Sequence, residues 1–142
     1  RLREIDLGLW ELLTFAEARR LYPEEYAQRE RDLVGYRFPG GESFRDLRER
    51  VVPALWEIVE RGGETILVVT HLGVIRVFLC ECLGLPLERL FSIGRGYGSV
   101  DVLQVSTTPT GVRRVEVVDQ GWTPGAVPSR HQRQGFADGG FG

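Results

Sequence analysis

The chain holds two histidines in 142 residues, and His71 sits where chemistry is commonly done. It closes the run Thr65-Ile66-Leu67-Val68-Val69-Thr70, and Leu72, Gly73 and a second apolar periodicity follow at once. A β-branched run of that length predicts a fully buried strand over 65–70. The periodicity behind it predicts a helix from about Val74 to Leu83, closed by Gly84 with Pro86 beyond. In open α/β sheets, sites form outside the carboxyl ends of strands, where helix N-termini present unpaired N–H groups. With Gly73 admitting close backbone approach, this corner suits an anion such as phosphate. His71 could then donate to a phosphoryl oxygen and stabilise developing charge. A core histidine bonded to a backbone carbonyl would occupy the same place, and the residues alone leave both open.

Other groups are less pointed. Glu4 stands between Arg3 and Asp6 and reads by itself as an exposed carboxylate. Glu42 and Ser43 are first of all turn and cap residues, with substrate contact a minor option for each. Arg76 reads as a helix-surface ion pair. Cys80 and Cys82 stand two apart on one helix, so they face different directions and cannot readily bridge. Buried thiols in a reducing compartment fit them better than metal ligation, which wants more ligands at set spacings. Arg130-His131 falls in a Gly-, Pro-, Arg- and Gln-rich stretch with no apolar strand ahead of it.

The elements that must position these groups follow from local signals. Residues 2–13 alternate loosely and predict an irregular or extended segment. Thr14 with Glu17 forms a T-x-x-E capping box ahead of the helix FAEARRLY. Pro23 suits the first turn of a second helix, PEEYAQRERDL. After the loop FPGGES, Ser43 and Asp46 cap a helix whose apolar residues, from Phe44 to Val59, keep helical spacing, with Pro53 as a kink or a second start. GSVDVLQVS, TPTG and VRRVEVV predict a β-hairpin. This places a domain over 1–120 and a flexible tail over 121–142. Helix, buried strand, helix and hairpin imply an α/β sheet layered with helices.

Composition sets the outer limits. The length suits one domain with a real core, at 42% hydrophobic and 27% charged residues. A formal net charge of −2 and the lack of a polybasic block argue against nucleic acid and membrane surfaces as partners. No apolar run reaches ~18 residues, and the opening RLREIDLGLW lacks a signal-peptide plan. Together with the thiols, this makes the cytoplasm the expected compartment. Methionine is absent altogether, so the chain is expected not to start where a gene product would.

Read in order, LREIDLGLWE, YP, PGGES, RV, VVTHLGVIR and GLP resemble the histidine phosphatase (phosphoglycerate mutase-like) superfamily, over roughly residues 2–118. RGYGSVDVL resembles its alpha-ribazole phosphatase branch, which serves cobalamin biosynthesis. The resemblance implies a three-layer αβα sandwich with a mostly parallel sheet and a C-terminal hairpin. It implies phosphomonoester hydrolysis through a phosphohistidine, with Glu4 as the acid and His71 as the second histidine. Leu72, Gly73, Glu42 and Ser43 then border a small phosphorylated metabolite. No metal or cofactor is implied, since imidazole, carboxylate and guanidinium groups suffice. The short interval between Glu4 and Pro39 favours phosphatase over mutase.

Two substitutions depart from the family pattern. Leu72 replaces a glycine of His-Gly-Gly, and Leu12 replaces the glycine of Trp-Glu-Gly. The family's nucleophile lies in an Arg-His-Gly segment after a first strand that would precede residue 1. The chain is therefore expected to be the C-terminal part of a longer domain. Its run at 65–70, without that strand, would expose an apolar edge open to a second copy or another chain. The competing expectation is a catalytically inactive relative, or a phosphate-binding or interaction module.

Overall fold

The computed structural model describes residues 1–111 and 113–123. After a 3₁₀ turn at Gly8–Trp10 come α1 (Phe15–Leu21), α2 (Pro23–Arg31), α3 (Phe44–Glu60) and α4 (Leu72–Cys82). A second 3₁₀ turn, Leu87–Ser92, leads to the antiparallel strands β1 (Val100–Thr107) and β2 (Arg113–Trp122). No helix among the described residues is long and apolar enough to cross a membrane.

Both expected capping boxes form. The Thr14 and Ser43 hydroxyls each accept an N–H three residues on, while Glu17 and Asp46 reach back to the cap residue's own N–H. Burial pushes the Asp46 carboxyl up, but hydrogen bonds from Ser43 and the Arg37 guanidinium outweigh it and leave it below the ordinary value. Helix α3 runs on through Pro53.

The core lies between α3 and α4. Leu47, Val51 and Leu55 share one face of α3, and Val74, Val77 and Phe78 oppose them from α4. Leu47, Val51, Val74 and Val77 are fully buried, each worth about 2 kcal/mol. Trp10 seals one side, stacked on Tyr22 and Tyr26 and edge-on to Phe38. The hairpin adds Leu103 and Val117, a directly opposed pair, to the second apolar cluster around Leu79 and Leu90. Gly121 and Trp122 belong to β2, so the hairpin passes the boundary expected at residue 120. The rest of the expected tail, from residue 124 and including His131, lies outside the described residues.

The α/β class stands, but the buried strand expected over 65–70 is not built. Residues 66–70 have no regular structure, and the only sheet among the described residues is the two-stranded hairpin. Exposure alternates along the run: 39% at Ile66, 83% at Leu67, 37% at Val68 and 88% at Val69. One side rests on the molecule and the other is bare, the period-2 pattern of extended chain. A strand needs a neighbour to take up its N–H and C=O groups, and no described segment lies alongside to do so.

Candidate functional site

Glu4 lies in an irregular segment and is itself held by contacts from α3 and α4, while the 39–42 loop bonds Asp6 and Leu9 farther along. Its Oε2 accepts the Gly73 N–H at 3.1 Å, in the first turn of α4, and its Oε1 accepts the Ile5 N–H at 3.0 Å. A carboxylate here meets the positive end of the helix dipole and satisfies a donor that the helix itself leaves free. The bond between Glu4 and Gly73 joins two distant parts of the sequence and brings Glu4 to the corner that holds His71.

His71 is the N-cap residue of α4, in extended backbone, and its side chain makes no capping bond. It is exposed, so the alternative of a satisfied core histidine does not hold here. Leu72 beside it is 38% exposed. Helix α4 begins at Leu72, two residues earlier than expected, which puts Gly73 inside its first turn.

The residue that sequence reasoning missed is Arg50. From α3, its Nη1 donates to the carbonyls of Arg1 at 2.6 Å and Arg3 at 3.0 Å, and its Nη2 to that of Glu4 at 2.9 Å. The same guanidinium grips both oxygens of Glu42, at 2.6 and 2.8 Å. Arg50 holds the Glu42 carboxyl below the ordinary value, against the opposing effect of burial. Glu42 also accepts the Asp6 N–H at 3.2 Å, so its oxygens are engaged by protein groups. Ser43 is buried, and its hydroxyl donates to Asp46 at 2.6 Å. Both residues therefore brace the Glu4 segment and α3. The only sequence signal for Arg50 was its place in the short RV match.

Backbone approach completes the brace. Glu42 N–H donates to Asp6 C=O at 2.8 Å and Leu9 N–H to Pro39 C=O at 3.0 Å. A Cβ on Gly8 would lie 2.7 Å from Gly41 N, and Gly8 has φ +53°. Glycine is needed for that contact. Leu12, by contrast, holds φ +64° with a wholly exposed side chain, a conformation that glycine would adopt without strain.

Other candidates lie apart from this corner. Arg76 donates to the Ile93 carbonyl at 2.8 Å instead of forming the expected surface ion pair, because the second 3₁₀ turn packs against α4. Cys80 and Cys82 are unpaired, and burial pushes the Cys82 thiol up to about 12. A groove lined by Arg48, Cys80, Glu81 and Leu85 sits at the opposite end of α4 and contains neither Glu4 nor His71.

Residues 1–118 match the family model of the histidine phosphatase superfamily (branch 1). Human 6-phosphofructo-2-kinase/fructose-2,6-bisphosphatase 3 is 44% identical over 89 residues, which are 63% of this chain and 17% of that protein. The structure of Bacillus stearothermophilus YhfR superposes with a TM-score of 0.68 at 35% identity, covering 82% of this chain and 57% of that one. The alpha-ribazole phosphatase from Shigella flexneri gives 0.71 at 20% identity, covering 90% and 61%, a likeness of fold. The chain thus spans only part of the length of these relatives. On the match over residues 1–118, the chain belongs to the histidine phosphatase superfamily.

Proposed function

We propose that the chain carries part of the site of a phosphomonoester phosphatase working through a phosphohistidine, with alpha-ribazole 5'-phosphate as one candidate substrate. The observation that carries this is the Glu4–Gly73 hydrogen bond, which holds a carboxylate at the helix end capped by His71. In this mechanism a histidine nitrogen attacks phosphorus, the bond to the leaving oxygen breaks, and Glu4 supplies that oxygen's proton. His71 stabilises the charge on the phosphoryl oxygens. Water then attacks phosphorus, its proton passing to the Glu4 carboxylate, and the N–P bond breaks to release phosphate and the free histidine. In this reading the attacking histidine belongs to an Arg-His-Gly segment, as the family resemblance implies. The substrate is a small phosphorylated metabolite and the working place the cytoplasm.

Turnover of p-nitrophenyl phosphate by the protein containing this chain tests the proposal. Glu4→Gln is expected to lower kcat by about 10²-fold or more, and His71→Ala likewise. Unchanged turnover in both variants would overturn it. A second function, binding another chain, is favoured by the bare side of 66–69, where Leu67 and Val69 are 83% and 88% exposed.

A further inference from the structure

We propose that Gly73 is a positioning residue for Glu4, serving the carboxylate through the side chain it lacks. The consequence for catalysis rests on the phosphatase function proposed above, whereas the geometry does not.

The backbone at residue 73 does not call for glycine. Gly73 lies in the first turn of α4 and is absent from the residues with positive φ. Alanine is the better helix former at such a position. Space gives the reason. A Cβ on Gly73 would overlap Glu4 Oε1 and lie 3.2 Å from Glu4 Cδ, while Leu47 Cδ2, at 3.4 Å, is an ordinary contact. Glu4 is thus the one neighbour that a methyl group would displace.

Glu4 cannot yield through its main chain. Its carbonyl accepts from Arg50, as do those of Arg1 and Arg3, and the Leu2 carbonyl accepts from the Thr70 hydroxyl at 2.7 Å. Ile5 next to it is buried. The carboxylate must therefore rotate away, losing the N–H groups of Ile5 and residue 73. The fold survives because only the end of a flexible side chain moves.

The test compares Gly73→Ala, Glu4→Ala and the double variant. Gly73→Ala is expected to lower kcat on the order of 10²-fold while KM stays within about two-fold, without lowering the melting temperature. It should have no further effect in the Glu4→Ala background. Amide NMR supplies a readout independent of turnover: Gly73→Ala should shift the Ile5 N–H as Glu4→Ala does. An unmoved Ile5 amide, an equal loss of kcat in the Glu4→Ala background, or a rise in KM at constant kcat would each overturn the proposal. If the unsubstituted protein shows no turnover, the phosphatase function fails and the Ile5 amide alone decides on Gly73. Should Gly73→Ala fail to fold, folding restored in the double variant supports the proposal, and folding still lost overturns it.

Discussion

Two stretches without regular structure, residues 1–6 and 66–69, meet opposite fates. The first is rich in charge, yet Ile5 is buried and three of its carbonyls are held by Arg50. The second is wholly apolar, yet Leu67 and Val69 are almost bare. Burial here follows the presence of a partner for the backbone, and hydrophobicity alone does not secure it. One guanidinium does for residues 1–6 what a neighbouring strand does in a sheet.

The largest effect on this contrast should come from Arg50→Ala. Arg50 and Glu42 are 18% and 14% exposed, so removing the cation strands a mostly buried carboxylate and three carbonyls. A loss of about 3 kcal/mol is expected, read from the urea midpoint. Arg50→Lys should recover only part, because a single ammonium cannot reproduce the fork.

Acid should loosen the same brace to a smaller extent. The folded carboxyl of Glu42 lies below its unfolded value, so its contribution is present above about pH 4.3 and is lost as pH falls through the folded value. Urea midpoints between pH 6 and 3 should fall less steeply for Glu42→Gln. An identical slope would show that Glu42 does not carry this dependence.

The smallest effect on stability is expected on the bare side. Leu67→Lys with Val69→Lys should alter stability by no more than about 0.5 kcal/mol per site, since neither side chain is buried. The pair should instead reduce self-association in sedimentation. A large loss of stability would mean that the run is covered in solution.

What could be read in the sequence was local. Thr14 with Glu17 and Ser43 with Asp46 declare their helix starts within three residues, and both boxes form. The core faces of α3 and α4 follow from periodicity. Arg50 was not legible, because its bonds to Arg1, Arg3 and Glu4 cross 46 to 49 positions and no spacing rule reaches that far. At 65–70 the residue types alone gave a buried strand, and only the family resemblance, through the strand absent beside it, gave the exposed apolar run that Leu67 and Val69 show. Residue resemblance pointed to Glu4 and His71 together, and the Gly73 N–H supplies the physical link between their segments.

Thr70 is where the two stretches meet, its hydroxyl donating to the Leu2 carbonyl at 2.7 Å. In mechanical terms it is a joint between a free beam and a clamped one. A displacement of residues 66–69 reaches Leu2 through a bond worth about 1 kcal/mol, while Arg50 holds the carbonyls on either side of it. The joint gives way before the clamp does, so a partner laid along the bare run leaves the carbonyls of Arg1 and Arg3 in the grip of Arg50.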